Sequence, residues 1–600
     1  MKPKKISKRE EIKIQDQWDL KTLFKKDQDW ESLYLKIEKE IKKYDSFRGK
    51  LGSSFKKFKA ALDFDLFISR KIEALYTYAH LKSDQDKSNQ FYLGLYEKAR
   101  NLYGRVSELS SFMVPEIQAL PGSKFNSFLE NPDLKEYQFF LKKIIRYKPH
   151  TSSPEVEKIM AMSSEISQTA SVVFNQLDNV DLKFGMLEDE EQRKIELSHA
   201  NFNSFLINKS RKVRAQAFRQ YYQAYQQHQH TMAATLASSV KKDFFYAKSR
   251  KFKTCREAAL FSDKINLKVY DNLLVTVKRN LNPFYKYLGF RKKVLKVKEL
   301  HFYDTYVPLV KEIDFKMSYQ EAVQVCLKAL APLGEEYITI LKKGLEGGWV
   351  DKYENIGKRS GAYSSGCYDS PPYILLNYDE NNINSLYTLI HEAGHSMHSY
   401  YAQKNQFYLN YNYTIFVAEV ASTFNETLLS KYLLDFYKED KNMVSYILNR
   451  EIDNIRGTLF RQTMFAEFEK NIHEIVEQNK PLTLEVLLKE YQDLLKLYLG
   501  PSVKIDKELL LECLRIPHFY SAFYVYKYAT GISAAIALAN QVLTKGWAAR
   551  EKYLSFLKSG GSKFPLEQLK EAGVNMSSPK PIEEALKYFA DLVKTFIKKY

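Results

Sequence analysis

The sequence predicts a mostly α-helical protein with more than one lobe. Only 22 glycines and 17 prolines occur in 600 residues, which indicates few turns and therefore long helices. Apolar residues recur three or four positions apart through most of the chain, as amphipathic helices require. A chain of this length also exceeds what one compact core normally contains, so we expect at least two lobes.

Composition places the chain among folded proteins of a reducing compartment. With 45% hydrophobic and 14% aromatic residues it can bury a large core. The four cysteines are far apart and show no C-x-x-C pairing, which favours free thiols over a disulfide framework. No apolar segment follows the basic residues 1–9, and no run of 18 apolar residues occurs. We therefore predict a cytoplasmic protein without a membrane partner.

The formal net charge of +19 could indicate a nucleic-acid partner. The lysines, however, are dispersed among glutamates along helical faces and do not form one stripe. A lysine-rich solvated surface is the interpretation we adopt, with no nucleic acid among the predicted partners. A basic helical protein that associates with nucleic acid stays open as an alternative, and it would show salt-dependent retention.

The first third of the chain is predicted to form a separate lobe. Residues 29–147 have a helical pattern throughout. Residues 182–187 and 194–197 alternate between apolar and polar side chains around a charged turn, which predicts a small hairpin. We place the domain boundary there, with an N-terminal helical lobe over residues 1–200 and a second domain over residues 201–600.

The second domain is predicted to begin with helices and to contain one short sheet. Residues 211–247 are expected to form one long helix. Residues 360–378 have strand character, with β-prone apolar side chains at 373–376 and turn glycines before them. The edge of such a sheet can bind an extended peptide through main-chain hydrogen bonds, which tolerate many sequences.

The clearest chemical signal is an H-E-x-x-H motif at His391, Glu392 and His395, inside an apolar-periodic run. Residues four apart on a helix lie about 40° apart around its axis, so both imidazoles project from one face. Two imidazoles arranged in this way can bind one divalent metal ion, and the adjacent carboxylate is suited to act as a general base beside it.

A catalytic zinc ion needs a third protein ligand and an open position. A second helix is predicted from residue 414 to residue 426, with Phe416, Val420 and Phe424 on its apolar face. Glu419 and Glu426 lie seven residues apart on a single face. An antiparallel arrangement of the two helices would place Glu419 opposite the histidines, although spacing alone also allows a solvated carboxylate.

The H-E-x-x-H helix, followed by the segment F-V-A-E-V-A-S at residues 416–422, closely resembles the thimet oligopeptidase and oligoendopeptidase F family of zinc metallopeptidases. Similar segments extend from about residue 15 to residue 590. The resemblance implies that Glu419 is the third ligand of one Zn²⁺ ion and that Glu426 is a nearby support residue. It also implies a two-lobed, multi-helix zincin-type fold with a deep substrate channel and a small β-sheet near the zinc helix.

The same resemblance implies that the substrates are short, unstructured peptides. It places Gly361, Ala362 and Tyr363 in the strand region beside the zinc helix, and we predict that they contact substrate. Glu392 is predicted to be the general base.

The region from residue 518 to residue 528 is dense in hydrogen-bond donors, namely His518, Tyr520, Tyr524, Tyr526 and Tyr528. The tyrosines at 520, 524 and 528 would share one helical face, although a chain with 43 tyrosines clusters some of them by chance. The resemblance implies that a His and Tyr pair here stabilises the oxyanion. We predict His518 with Tyr526 in that role, then Tyr524, and assign Tyr520 and Tyr524 to substrate binding.

The sequence thus predicts a zinc-dependent endopeptidase that hydrolyses internal bonds of short peptides. Two further hypotheses stay open in addition to the nucleic-acid-associated protein. One is a zinc carboxypeptidase with the same motif, which would trim single C-terminal residues. The other is a non-catalytic peptide-binding helical protein. No feature of the sequence predicts an oligomeric state.

Overall fold

The computed structural model describes residues 6–311 and 313–600. Of the basic run at residues 1–9, residues 1–5 lie outside the described part. Within these ranges the protein is predominantly helical with small sheets, so the predicted fold class is confirmed. No helix of the described ranges is long and apolar enough to cross a membrane.

Helices make up most of the described residues and are joined by turns, loops and a few short strands. In the described residues the α-helices are α1 (Asp27–Glu40), α2 (Phe55–Gln85), α3 (Gln90–Ser110), α4 (Met113–Ala119), α5 (Gly122–Leu129), α6 (Gln138–Arg146), α7 (Pro154–Ser167), α8 (Thr169–Gln176), α9 (His199–Leu206), α10 (Arg211–Gln227), α11 (Gln229–Ser249), α12 (Cys255–Phe261), α13 (Leu267–Arg279), α14 (Asn282–Val294), α15 (Tyr319–Ala329), α16 (Glu335–Glu346), α17 (Ile383–Asn405), α18 (Tyr408–Tyr411), α19 (Ile415–Phe436), α20 (Lys441–Ile455), α21 (Gln462–Glu477), α22 (Leu484–Leu499), α23 (Glu512–Arg515), α24 (Tyr526–Lys545), α25 (Trp547–Lys558), α26 (Pro565–Glu571) and α27 (Lys580–Lys599). The predicted single helix over residues 211–247 is wrong in one respect. It is interrupted at His228, whose ψ of 12° lies outside the helical range.

The strands form three small sheets in the described residues. They are β1 (Met186–Glu188), β2 (Lys194–Glu196), β3 (Leu300–His301), β4 (Val350–Asp351), β5 (Tyr363–Ser365), β6 (Tyr373–Leu375) and β7 (Val503–Lys504). β1 and β2 pair antiparallel with Leu187 opposite Ile195, which confirms the predicted hairpin. β3 pairs parallel with β7. The third sheet has the order β4–β6–β5, in which β5 runs antiparallel to β6 and occupies an edge.

The chain forms two compact units, each assembled from three separate segments. Unit 1 contains residues 1–149, 314–432 and 538–574, and unit 2 contains residues 150–313, 433–537 and 575–600. The predicted lobe over residues 1–200 is therefore divided between the units after residue 149. The domain boundary at residue 200 stays a prediction.

Unit 1 packs the three-stranded sheet against its N-terminal helices. Trp30, Phe58 and Leu75 belong to a buried cluster that also includes Tyr373 and Leu375 of β6. The indole N–H of Trp30 donates a hydrogen bond to the Leu75 carbonyl oxygen over 2.9 Å, which satisfies a buried donor. β5 and β6 also contact α17, so the sheet lies next to the helix that carries the H-E-x-x-H motif.

Unit 2 is a helical assembly around α11, α13, α20, α21 and α27. Its core contains many buried tyrosines whose hydroxyl groups bond within the unit. Tyr270, for example, donates to the Ala466 carbonyl over 2.5 Å. A π-helical turn at Arg456–Arg461 joins α20 to α21. Unit 2 also contains the region of residues 518–528.

Candidate active site

Helix α17 places the two motif histidines on one partly open face. The helix begins at Ile383 because the Asn382 side chain accepts a hydrogen bond from the Asn384 N–H over 3.0 Å. Its buried face contains Leu386, Leu389, Ile390, Ala393 and Met397. The His391 and His395 rings lie at the margin of that face with centroids 4.9 Å apart. The predicted pairing of two imidazoles on one helix face is confirmed.

Gly394 allows α19 to approach α17 at backbone distance. A Cβ atom at this position would lie 2.6 Å from the Ser422 Cα and 2.7 Å from the Ala421 carbonyl oxygen. Any larger residue would push the helices apart, because real Cβ atoms do not make such contacts. The close approach is reinforced by the Asn425 amide, which donates to the Ile390 carbonyl over 3.2 Å. It brings Glu419 opposite the two histidines.

The three predicted metal ligands converge. The Glu419 Oε2 lies 3.4 Å from the His391 Nε2 and 3.5 Å from the His395 Nε2. One potential ligand atom from each residue falls within 4.8 Å of the others. The side chains are 27%, 18% and 34% exposed in the order His391, His395 and Glu419, so one side of the cluster is open. Two imidazoles, one carboxylate and an open position match the donor set of catalytic zinc sites.

A second layer of side chains orients these ligands. The Glu426 carboxylate lies 2.6 Å from the His391 Nδ1, and the Ser422 hydroxyl donates to the Glu419 Oε2 over 3.0 Å. Burial alone would raise the pKa of Glu419, but hydrogen bonding and charge from His395, with the charge of His391, lower that pKa to about 2. The Glu419 carboxyl is therefore ionised at neutral pH, as a metal ligand must be.

Glu392 lies beside the cluster without being part of it. Its side chain is buried, with 7% exposure, and the nearby backbone N–H of Ser364 on β5 favours the charged form of its carboxylate. Burial raises the pKa of Glu392, while the neighbouring His391 and His395 oppose that rise. The Ser364 hydroxyl also bonds the Ser396 hydroxyl of α17 over 2.8 Å. Strand β5 is thus attached directly to the motif helix.

The predicted substrate-contacting residues lie at the start of β5. Gly361 is exposed with a φ of +81°, a left-handed conformation that glycine adopts without strain. Ala362 follows, and the Tyr363 hydroxyl donates to the Asp84 carboxylate over 2.8 Å. The Tyr363 ring also stacks on His80, with centroids 5.6 Å apart. The backbone of β5 therefore offers a strand edge, whereas the Tyr363 side chain is held within unit 1.

The predicted donor segment lies in unit 2. His518 belongs to a 3₁₀ turn at Pro517–Tyr520, and α24 begins only at Tyr526. The half-buried side chains of His518, Tyr524 and Tyr528 form a cluster with ring centroids 5.5 to 5.8 Å apart. The Tyr528 hydroxyl lies 3.3 Å from the His518 Nε2. Burial lowers the pKa of His518, which favours its neutral form.

Two sequence-based assignments in this segment do not fit the structure. Tyr526 is 1% exposed and packs on Tyr270 with ring centroids 5.1 Å apart, so its side chain belongs to the core. Tyr520 is also buried, where it bonds the Thr235 hydroxyl over 2.7 Å. The helical face expected to unite Tyr520 with the later tyrosines does not form, since the chain turns before α24 begins.

Asp84, which holds the Tyr363 hydroxyl, could not be found from the sequence. It is separated from Tyr363 by 279 positions, and such a contact leaves no local pattern.

His398, the last histidine of the motif region, could suggest a further ligand. It is fully buried and stacks on Tyr413 with a 3.6 Å centroid distance, and burial lowers its pKa to about 3. A neutral packing role for His398 follows.

Comparison with known proteins identifies the family. The model of "Peptidase family M3" matches residues 204–588, and the model "Oligopeptidase F" matches residues 116–184. The chain belongs to peptidase family M3. It is a metalloendopeptidase that hydrolyses oligopeptides, and M3 peptidases depend in general on zinc.

Relatives of this M3 peptidase match it along nearly its full length. "Oligopeptidase PepF" of Bacillus subtilis (strain 168) is 47% identical, over 98% of this chain and 88% of that protein. An "Oligoendopeptidase F homolog" of Borreliella burgdorferi is 43% identical, over 97% of this chain and 98% of that protein. The crystal structure of oligoendopeptidase-F from Enterococcus faecium superposes with a TM-score of 0.75 at 36% identity, covering 96% of this chain and 99% of that one.

Proposed function

We propose that this M3 peptidase binds one zinc ion through His391, His395 and Glu419 and uses Glu392 as the general base to cut internal bonds of short, unstructured peptides. The observation that carries the proposal is the convergence of three ligand atoms within 4.8 Å on an open side of the helix pair, with a buried carboxylate directly beside them. When bound there, zinc would supply a Lewis acid that activates water for attack on a peptide carbonyl.

Glu426 prepares His391 for ligation. A carboxylate at 2.6 Å from the Nδ1 favours a proton on that nitrogen, which leaves the lone pair of the Nε2 directed at the cluster. Such outer partners fix the tautomer and the orientation of a ligating imidazole. Ser422 performs the corresponding task for Glu419.

Glu392 is the proposed proton-transfer residue of the reaction. As general base it would take the proton of the attacking water at its carboxylate, and as general acid it would then deliver that proton to the nitrogen of the leaving amine. Strand β5, whose Ser364 hydroxyl bonds the Ser396 hydroxyl over 2.8 Å, packs directly against the helix that carries this carboxylate. A buried, fixed carboxylate gains from this preorganisation because little reorientation is required.

The edge of β5 is the proposed peptide-binding surface. β5 pairs with β6 on one side, and an extended peptide would add to the other side through main-chain hydrogen bonds. The Gly361 and Ala362 backbones would form the beginning of that surface. Only an unstructured segment can present its main chain in this way, which supports unstructured oligopeptides as substrates.

His518 and Tyr528 are the proposed additional donors to the oxyanion. Their support is the half-buried cluster in which the two side chains lie 3.3 Å apart. Tyr528 replaces Tyr526 in this proposal, because the Tyr526 side chain lies in the core of unit 2. Tyr524 stacks on the same histidine and is proposed to contact substrate.

The test is mass spectrometry of a mixed pool of short and long peptides incubated with the protein, before and after chelation. We expect internal cuts in the short peptides, abolished by a chelator and restored by zinc. Removal of single C-terminal residues would instead establish a carboxypeptidase. A zinc-loaded sample that leaves every peptide intact would contradict the proposal and indicate a peptide-binding protein.

A further inference from the structure

The loop between the Pro517–Tyr520 turn and α24 contains an unusual backbone conformation. Phe523 has a φ of +53°, in the left-handed region that bulky residues avoid. Five other non-glycine residues of the described chain share a positive φ, and all are exposed polar side chains: Gln192, Lys251, Lys264, Lys296 and Asn479. Phe523 is 2% exposed and aromatic. Such an outlier persists only where the surroundings impose it, and these sites cluster where function requires them.

Glu469 on α21 supplies the constraint. The Phe523 N–H donates to the Glu469 Oε1 over 3.1 Å. The Glu469 side chain is fully buried, and its Oε2 has no hydrogen-bond partner in the described residues. Burial raises the pKa of this carboxyl well above its ordinary value. A buried carboxyl with one oxygen unsatisfied costs stability, so its retention calls for a reason other than the stability of the core.

The aromatic ring of Phe523 is held as firmly as its amide. The His473 ring packs on the Phe523 ring with their centroids 4.7 Å apart. The Tyr270 ring meets the Phe523 ring in an edge-on arrangement with a centroid separation of 5.8 Å. His473 is itself fixed to α21, since its Nδ1 lies 2.7 Å from the Glu469 carbonyl oxygen. Both the backbone and the side chain of Phe523 are thus anchored to rigid helices.

The anchored turn determines where the following tyrosines lie. Tyr524 is the next residue, and its ring lies 5.8 Å from the His518 ring and 5.5 Å from the Tyr528 ring. With an ordinary negative φ at Phe523, the chain would leave the Pro517–Tyr520 turn in another direction. The contact between His518 and Tyr528 would then be lost.

We infer that Glu469 is a positioning residue, whose buried carboxyl holds the Phe523 amide so that the His518–Tyr524–Tyr528 cluster is assembled before substrate binds. The inference rests on the proposed function of that cluster. It assigns no contact between Glu469 and the substrate. Its effect on turnover would come entirely through the backbone of residues 521–525.

The central test compares Glu469→Met with Glu469→Gln. Methionine fills a similar volume without an acceptor, and replacing a buried carboxyl by an apolar group is often neutral or stabilising. We expect Glu469→Met to fold with an unchanged or higher melting temperature and full zinc content, but with kcat lowered about 100-fold and KM raised, because Tyr524 moves with the cluster. Glutamine retains an acceptor oxygen and should keep kcat close to that of the wild type.

Hydrogen exchange at the Phe523 amide tests the backbone step. Without the Glu469 acceptor this amide should lose protection in Glu469→Met, whereas Glu469→Gln should retain it. A merely structural glutamate predicts a different pattern. Glu469→Met would then not fold or would lose activity only together with melting temperature, or it would fold with the Phe523 amide as protected as in the wild type. Either result would overturn the inference.

Kinetics of His518→Ala separate this inference from the function on which it rests. A large loss of kcat in His518→Ala with full activity in Glu469→Met would overturn the positioning role alone. Full activity in His518→Ala would overturn the proposed role of the cluster and the inference with it.

Discussion

The helix pair α17–α19 and the segment at residues 517–528 both carry predicted catalytic side chains, but their backbones differ in construction. In the helix pair, each ligand follows from helical periodicity and from one close approach at Gly394. In the segment, a 3₁₀ turn, a left-handed Phe523 and a late helix start at Tyr526 decide which side chains meet. Regular elements place side chains by spacing, whereas irregular ones place them by contacts from elsewhere in the unit.

The comparison also shows where each region obtains its rigidity. The helix pair is held by backbone contact between neighbouring helices and by buried apolar faces. The loop depends on one hydrogen bond from Phe523 to a buried carboxyl and on two ring contacts. Substitutions in the first region are therefore expected to affect chemistry or metal binding directly, and those in the second to act through geometry.

Glu392→Gln should produce the largest effect. The amide keeps the shape of the side chain but cannot accept the proton of water, so we expect kcat to fall by about 10²–10⁴-fold. Zinc content, measured by atomic absorption, should be unchanged because Glu392 is not a predicted ligand. The exposed Glu439→Gln is the matched control. Normal turnover in Glu392→Gln would refute the assignment of the base.

Tyr528→Phe, compared with Tyr526→Phe, tests which tyrosine acts in the irregular segment. Loss of an oxyanion donor typically costs about 10²–10³ in kcat, and we expect a loss of this order for Tyr528→Phe only. Tyr526→Phe removes a hydroxyl from the core and should leave kcat within a few-fold of wild type. Steady-state kinetics on a quenched fluorescent peptide measure both. The reverse pattern would restore the sequence-based choice of Tyr526.

Glu426→Ala should weaken the metal site without abolishing it. Removing a carboxylate that orients a ligating imidazole costs about 10–100-fold in metal affinity. Competition with a chelator of known affinity gives the zinc dissociation constant for the variant and for the wild type. Equal constants would show that Glu426 does not orient His391.

Gly394→Ala should lower the stability of the protein and, because it moves α19 away from α17, should also weaken zinc binding through Glu419. The added methyl group overlaps the α19 backbone, and overpacking of this kind costs about 1–3 kcal/mol. Gly104→Ala in α3 is the control, because no atom lies within 4 Å of the added Cβ and alanine should stabilise the helix by about 0.5–1 kcal/mol. Thermal unfolding should move the two melting temperatures in opposite directions.

The extent to which the sequence predicts the structure follows the same division. The positions of His391 and His395 on one helix face could be read from periodicity alone, and a glycine within a helix, such as Gly394, is the kind of signal that accompanies a close approach. Glu419 required resemblance to a family, since spacing cannot distinguish a ligand from a solvated carboxylate. The burial of Tyr526 was missed because no local propensity predicts a positive φ for a phenylalanine.

The features that the sequence does not predict depend on contacts between residues far apart in the chain. The Asp84 carboxylate that holds Tyr363, and the Glu469 carboxyl that holds Phe523, lie 279 and 54 residues from their partners. Neither contact has a periodic or compositional signature. Both involve buried acidic side chains, which a sequence-based view assigns to the solvated surface.

The most direct test of the central claim is the zinc content per chain of the wild type, His395→Ala and Glu419→Ala after extensive dialysis, with Glu439→Ala as the control. The proposed site predicts one zinc ion in the wild type and the control, and little or none in the two ligand variants. Full zinc retention in His395→Ala or Glu419→Ala would contradict the proposed metal centre.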